Sequence, residues 1–317
     1  MLDKNQLNSI GFRHVCDRIE LLTPYGEELA RRPHFYTRDE MDLLRGEQEN
    51  VTLLMKAADE KVSLVNELMR LLMPVKDIRR SIASLESRTL SEVEFFEIKR
   101  FLLQLELIAP KLSELGLKLS GIDIAALPAA LDLIDPDGLR SPSFYVSDRL
   151  SERLSDIRRR RRSIDERIRR EGLTEELGFE RTRVAAEEED ENARVRESLS
   201  ERLRAYRERL LVNAQSIGRL DLALGKARLA NAYGAVMPEV GSESFVMRGM
   251  VNPLFSKALE DKGRRFVPVS LALEKGSTVI TGANMGGKSV AIKTLALNAQ
   301  LAMCGFAVFA EETPAAE

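Results

Sequence analysis

Residues 278–289 read Thr-Val-Ile-Thr-Gly-Ala-Asn-Met-Gly-Gly-Lys-Ser. A glycine followed by four residues and then Gly-Lys-Ser is the spacing of a phosphate-binding loop. The residues before the loop are of β type, and the residues after it carry an apolar stripe at helical spacing, formed by Ile292, Leu295, Ala296, Ala299, Ala302 and Met303. A strand, a loop and a helix in this order are the setting that the motif requires.

The residue types of this loop fit a triphosphate and its metal ion. Gly282, Gly286 and Gly287 allow the backbone to curl with its amides pointing inward, and they leave space for the phosphates. The N-terminus of the following helix adds partial positive charge at the same place. Lys288 can then reach the β and γ phosphates, and the hydroxyl of Ser289 can complete the ligand shell of Mg²⁺.

The sequence on both sides of the loop predicts an α/β arrangement. Short β-type runs at 244–247, 266–273, 278–281 and 306–309 alternate with one helix at 288–303. Strand, loop, helix and strand in succession predict the opening of a parallel α/β sheet.

The chain before this region is predicted to be helical. From residue 10 to about residue 235, nearly every segment carries the spacing of an amphipathic helix. Thr37 with Glu40, and Ser91 with Glu94, fit the capping box, in which a hydroxyl and a carboxylate satisfy the free amides of a first turn.

Two stretches carry the seam of a coiled coil. The first seam consists of Leu150, Leu154, Ile157, Arg161, Ile164 and Ile168, and the second of Leu199, Leu203, Tyr206, Leu210, Asn213 and Ile217. These seams predict two long helices, separated by a break at Gly172 and Gly178, that pair antiparallel as a projecting arm.

Charge along this predicted arm is polarised. Residues 151–171 contain nine arginines and five acidic residues, whereas residues 172–197 contain four arginines and nine acidic residues. The five consecutive arginines at 158–162 could grip a phosphate backbone. The alternative, which we favour, is a solvated helix face that is partly paired with the acidic residues 187–191.

The overall composition excludes several classes of protein. The 317 residues include 48 basic and 50 acidic ones, so no global basic field points to nucleic acid. Two cysteines and two histidines exclude a disulfide framework and disfavour a zinc or iron–sulfur site. The sequence has neither a leader pattern nor 18 consecutive apolar residues, so we expect a cytoplasmic protein with no membrane partner.

With these motifs identified, the chain resembles the MutS family of DNA mismatch-repair ATPases. Residues 281–289 look like the nucleotide loop of that family, in which the Asn-Met pair at 284–285 is characteristic. Asn-Pro-Leu at 252–254 is similar to the family's His-Pro-Leu element, and residues 305–311 resemble the strand that follows the loop helix. The resemblance is closest to paralogues that lack the mismatch-recognition domain.

This resemblance implies a mainly α-helical core with an antiparallel coiled-coil lever arm, followed by a partial α/β P-loop NTPase domain. The implied boundaries are 1–147 for the helical core, 148–217 for the lever arm, 218–238 for the end of the core and a connector, and 239–317 for the amino-terminal part of the ATPase domain.

The resemblance also implies a set of site residues. The residues that would bind ATP are Gly282, Ala283, Asn284, Met285, Gly286, Gly287, Lys288, Ser289 and Val290. Lys288 and Asn284 would act in catalysis, and Ser289 would bind Mg²⁺. Phe266 aligns with the aromatic residue that stacks on adenine, and a core position in a strand is an equally open interpretation of this phenylalanine.

Hydrolysis in this family also needs an acidic pair after a later strand. The candidate here is Glu311-Glu312, but the strand directly after the loop helix is, by resemblance, the neighbour of the strand that carries the acids. We therefore expect a carboxy-terminally truncated chain that binds ATP and hydrolyses it poorly, and that would form a homodimer through the ATPase domain when full length.

Two functions from different classes stay open. The first is a nucleotide-driven dimer that acts on double-stranded DNA, in mismatch repair or recombination. The second applies the same ATPase to a protein client, such as a cobalamin-dependent aminomutase that needs reactivation. The second is favoured by the roughly 25 residues between the two predicted arm helices, which are too few for a domain that clamps DNA.

Overall fold

Helices form most of the structure, a computed structural model that describes residues 2–240, 245–273, 276–281 and 287–311. The helices are α1 (Lys4–Ile10), α2 (Phe12–Cys16), α3 (Pro24–Arg31), α4 (Met41–Glu60), α5 (Val62–Leu72), α6 (Arg79–Ser87), α7 (Glu92–Leu115), α8 (Pro128–Ile134), α9 (Glu152–Glu171), α10 (Glu175–Arg204), α11 (Arg207–Tyr233), α12 (Pro253–Glu260) and α13 (Lys288–Ala302). The strands are β1 (Phe245–Met250) and β2 (Val269–Leu273). Within these described ranges, no helix has the length and apolar character needed to cross a membrane.

Both predicted capping boxes are confirmed. The Glu40 carboxylate accepts the Thr37 amide at 2.9 Å, ahead of α4. At the start of α7, the Glu94 carboxylate accepts the Ser91 amide at 2.9 Å and the Ser91 hydroxyl accepts the Glu94 amide. Burial alone would raise the pKa of Glu94, but hydrogen bonds from Arg88 and Ser91 outweigh it and lower the pKa to about 2. These signals were readable because each involves residues only three positions apart.

The chain divides into two units. Unit 1 consists of Met1–Met73, Lys111–Asp123 and Ser216–Glu317, and unit 2 consists of Pro74–Pro110 and Ile124–Gln215. The four boundaries implied by the resemblance were not drawn from compactness, and they stay a prediction.

In unit 1, the two ends of the chain share one apolar core. Ile10, Phe12 and Val15 from α1 and α2 pack in the same buried cluster as Leu297 and Leu301 from α13. A buried hydrogen bond of 2.9 Å from the Asn252 side chain to the Ile10 carbonyl joins the same regions. Residues far apart in sequence therefore pack against the later turns of α13.

The sheet of unit 1 differs from the prediction. β1 and β2 are antiparallel, with Phe245 opposite Leu273 and Met250 opposite Val269, and they are not the two strands around the loop helix from which a parallel sheet is predicted. Residues 278–281 form no strand in the part of the chain that the structure describes. In place of the predicted strand 306–309, the structure has one isolated antiparallel bridge between Val308 and Val236. The two residues exchange backbone hydrogen bonds of 3.0 and 2.8 Å.

In unit 2, α9 and α10 pack against each other and run antiparallel. Ion pairs join residue 158 to 188, residue 165 to 181 and residue 167 to 180. The residue numbers rise along α9 and fall along α10, as antiparallel helices require. Their interface is an apolar cluster of Ile157, Ile164, Leu177 and Val184.

The second seam, residues 199–217, was predicted to pack against the first, and this pairing is wrong. Leu199 and Leu203, from the second seam, are buried in unit 2, where their stretch of α10 contacts α6 through hydrogen bonds such as Arg204 to the Leu85 carbonyl at 2.8 Å. The break between the paired helices lies at Gly172, whose φ is +84°, and Gly178 lies inside α10. The returning helix is thus the acidic segment that directly follows α9.

Candidate functional site

The described part of the predicted nucleotide loop is its last four residues. Gly287, Lys288, Ser289 and Val290 have defined positions, whereas five predicted site residues lie outside the described residues: Gly282, Ala283, Asn284, Met285 and Gly286. The roles assigned to those five residues stay predictions.

Gly287 is the residue before the first turn of α13. Its φ is +81°, a left-handed conformation that side chains rarely adopt, and no described residue lies within 4 Å of where a Cβ would be. Gly287 is itself the N-cap residue and has no side chain with which to cap the first amides of α13. A glycine in this conformation, at the start of a 15-residue helix, fits the approach of a phosphate group to backbone amides.

The side chains expected to contact phosphate and metal follow directly. Lys288 and Val290 are half-buried, and Ser289 is exposed in the first turn of α13. An exposed hydroxyl and a lysine in the first helical turn fit the ligands of a magnesium–nucleotide complex, because the ammonium would neutralise phosphate and the hydroxyl would bind the metal. Among the described residues, no group of three or more His, Cys, Asp and Glu side chains could hold a metal ion by itself.

Hydrogen bonds of Asn298 hold α13 in place. Its side-chain oxygen accepts the Phe309 amide at 2.8 Å, and its amide nitrogen donates to the carbonyls of Thr294 and Val251 at 3.0 and 3.3 Å. Asn298 is fully buried and was not among the residues singled out from the sequence. The sequence feature that could have identified Asn298 is its spacing of four residues from Thr294, which places two polar side chains on the same face of α13.

The apolar stripe predicted for α13 is confirmed in part. Ala302 is buried and Leu295 and Ala296 pack against the core of unit 1, whereas Ile292 is 51% exposed. The most buried positions also include Thr294 and Asn298, two polar side chains that bond to backbone groups, and a count of apolar residues does not find them.

Asn252 joins the start of α12 to the end of α1. Its side-chain oxygen accepts the Leu254 amide at 3.2 Å and caps α12, while its nitrogen donates to Ile10. Gly11 has a φ of +91°, and a Cβ on it would lie 3.1 Å from the Asn252 side-chain oxygen. The Asn-Pro-Leu element thus starts a helix and packs closely on the end of α1.

Phe266 lies outside the helices and strands, three residues before β2, and is half-buried. It is therefore not a strand residue, which removes the alternative of a core position in a strand. Stacking of its ring on adenine stays a prediction.

Glu311 lies against β1. Its amide donates to the Arg248 carbonyl at 3.0 Å, and a Cβ on Gly249 would lie 2.5 Å from its carboxyl carbon. Its predicted neighbour in an acidic pair, Glu312, lies outside the described residues.

Each arginine of the run 158–162 has an acidic partner, so the interpretation as a paired helix face is supported. The pairs are Arg158 with Asp148 and Glu188 at 2.5 and 2.9 Å, Arg159 with Asp156 at 2.6 Å, Arg160 with Glu187, Arg161 with Glu188 at 2.7 Å, and Arg162 with Asp148 at 3.7 Å. A phosphate backbone would have to compete with these carboxylates.

Comparison with known proteins gives partial matches, and no family model matches the chain. The chain is 31% identical over 140 residues to the endonuclease MutS2 of Latilactobacillus sakei and 35% identical over 141 residues to that of Shouchella clausii; each match covers 43% of this chain and 17% of the relative. It is 40% identical over 97 residues to the DNA mismatch repair protein MutS of Paracoccus denitrificans, which covers 29% of this chain and 11% of the relative. The chain thus spans only a small part of these relatives. These matches support a relationship between this chain and the MutS family.

Proposed function

We propose that this chain carries the helical core and the nucleotide-binding segment of a MutS-type ATPase that acts on DNA. The observation that carries the proposal is the Gly-Lys-Ser end of a phosphate-loop motif at the N-terminus of α13, where the N-cap residue is a glycine with a positive φ. The similarity to proteins named MutS2 and MutS agrees with it.

In this proposal ATP binds with Mg²⁺ along residues 282–290. The bound metal would neutralise phosphate charge, Ser289 would be one of its ligands, and Lys288 would hold the β and γ phosphates. Asn284 would lie beside the γ phosphate, and Phe266 would stack on the adenine. The boundaries at 147, 217 and 238 and homodimerisation through the ATPase domain of a longer protein belong to the same proposal.

The nucleotide assignment can be tested by thermal unfolding with and without Mg²⁺ and ATP. Ligand binding to the folded state should raise the melting temperature of the wild-type chain, and Lys288→Ala should abolish most of that increase. Lys293→Ala is the matched control, because Lys293 lies on the same helix with its ammonium 5.8 Å from the Phe255 ring centroid. An equal ATP effect in wild type and Lys288→Ala would reject the site.

A protein client is the second candidate, and the pairing of the arginines at 158–162 favours it. Those arginines would give duplex DNA its most concentrated basic contact on this chain, yet carboxylates already occupy them. Binding of duplex DNA should be measured from 50 to 200 mM salt, for wild type and for a variant with Arg159 and Arg162 changed to Gln. A salt slope that is smaller in the variant supports contact with DNA at this run, whereas an unchanged slope removes the run from the DNA proposal.

A further inference from the structure

Unit 1 contains a cavity of about 330 Å³ that the nucleotide segment does not line. It is bordered by α3, residues 32–36, α4, α11 and the turn after α13. Its volume is at the small end of the range of about 300–1,000 Å³ that is typical of small-molecule sites.

The walls of this cavity are mainly apolar. Leu29, Ala30, Leu222 and Phe306 contribute to them, and Leu43 is 65% exposed beside them. An exposed leucine at the edge of a concave apolar surface has unfavourable contact with water, which a ligand with a hydrocarbon body would remove.

Cationic side chains outnumber anionic ones around the cavity. Among the described residues that line it, Arg32, Arg219 and Lys226 are cationic and Glu47 is anionic. Lys226 and Glu47 neutralise each other, because their nitrogen and oxygen atoms are 2.7 Å apart. The net positive charge therefore comes from the two arginines.

Both arginines have hydrogen-bonding capacity to offer. Arg219 donates one bond of 2.9 Å from Nη1 to the Gly121 carbonyl. Arg32 makes no side-chain hydrogen bond or ion pair with any residue that the structure describes. A guanidinium without a carboxylate partner is suited to bind a planar or tetrahedral anion through two hydrogen bonds.

We propose that this cavity binds an amphipathic organic anion, whose hydrocarbon body packs between α3, α4 and α11 and whose carboxylate or phosphate head pairs with Arg32 and Arg219. Such a ligand would also contact Phe306, four residues after the end of α13. The inference does not depend on nucleotide binding, because none of its residues belongs to the nucleotide segment.

The test is isothermal titration of the full chain with decanoate and with 1-decanol, which share a hydrocarbon body and differ in charge. Decanoate should bind at least tenfold more tightly than decanol. Arg32→Gln should weaken decanoate about five- to tenfold and leave decanol nearly unchanged. Ala30→Phe, which fills the apolar part of the cavity, should weaken both ligands.

Arg31→Gln is the matched control, because Arg31 is the adjacent arginine and pairs with Glu27 at 3.0 Å instead of lining the cavity. Its decanoate affinity should equal that of wild type. Three results would overturn the proposal: no binding of decanoate, equal affinity for decanoate and decanol, or the same loss in the Arg31 and Arg32 variants. Melting temperatures of the variants would verify that each is folded.

Discussion

The side chain of Lys226 is only 4% exposed, and its ammonium lies among three partners in unit 1. It donates to the Glu47 carboxylate at 2.7 Å and to the Cys304 carbonyl at 2.9 Å, and it lies 4.7 Å from the centre of the Phe306 ring. The turn that ends α13 is thereby joined to α4 and α11. Gly305 in this turn has a φ of +68°, and a Cβ there would lie 2.6 Å from the Glu47 side chain.

Lys226→Met should lower the free energy of unfolding by about 3 kcal/mol, because it leaves a largely buried carboxylate without its cation. Urea unfolding followed by circular dichroism would measure the loss. In the double variant Lys226→Met, Glu47→Leu, at least half of the stability should return, since no charge is then buried alone. A double variant less stable than the single one would contradict this account of Lys226.

The two thiols of the chain should react slowly while the protein is folded. Burial, reinforced by Asp17, raises the pKa of Cys16 to about 12, and burial also raises the pKa of Cys304 well above its usual range. At pH 8 the thiolate of Cys16 is then only about one in 10,000 of the population, and the thiolate is the reactive form. A disulfide reagent should modify both cysteines rapidly in urea and at least 100-fold more slowly without it. Rapid modification of both cysteines in the folded chain would contradict the raised pKa values of the half-buried Cys16 and the buried Cys304.

At the scale of elements, the α9–α10 pair depends on a glutamate. Glu188 is buried, and its two oxygens accept from Arg158 at 2.9 Å and from Arg161 at 2.7 Å. Glu188→Gln should lower the free energy of unfolding by about 1–2 kcal/mol, between the values typical of exposed and of buried ion pairs. Glu187→Gln is the control on the same helix, and its loss should be below about 0.5 kcal/mol, because the pair of Glu187 with Arg160 is more exposed.

The same pair should be sensitive to acid. Burial alone would raise the pKa of Glu188, but hydrogen bonds from Arg161 and Arg158 outweigh it and hold the pKa below the usual 4.5. Its contribution to stability is therefore complete above pH 4.5 and is lost as the pH falls through the lowered pKa. Unfolding measured from pH 6 to pH 3 should show a smaller decrease in Glu188→Gln than in wild type. Parallel pH profiles would refute this role of the carboxylate.

The partner of α9 could not be predicted from apolar spacing because α10 uses acidic residues at its interface. Two of its buried positions, Glu188 and Glu191, interrupt the hydrophobic pattern, whereas the stretch around Leu199 and Leu203 has a cleaner pattern and faces other helices of unit 2. The capping boxes were predictable since they are local. Strand pairing was not predictable from the sequence, because an apolar run such as 306–309 indicates a strand without indicating which backbone segment will bond to it.

For the whole molecule, the two units allow stability to be separated from ligand binding. Phe95 in unit 2 is fully buried and stacks on Phe144, with ring centroids 4.7 Å apart. Phe95→Ala should lower the free energy of unfolding by about 3–5 kcal/mol. If ATP binds as proposed, its affinity, measured by titration below the unfolding transition, should change less than twofold, because residues 287–290 belong to unit 1. A tenfold loss of affinity would show that the units are energetically coupled.

The hydrogen bond between Asn252 and Ile10 spans 242 positions in the chain, and it has a consequence for biosynthesis. At about 5–20 residues per second, the ribosome needs roughly 12–50 s to proceed from one residue to the other. During that time Ile10, Phe12 and Val15 lack part of their core cluster, because the α13 residues Leu297 and Leu301 have not yet been made. The amino-terminal helices are therefore a segment on which a nascent-chain chaperone would act, and their packing should be a late event in co-translational folding.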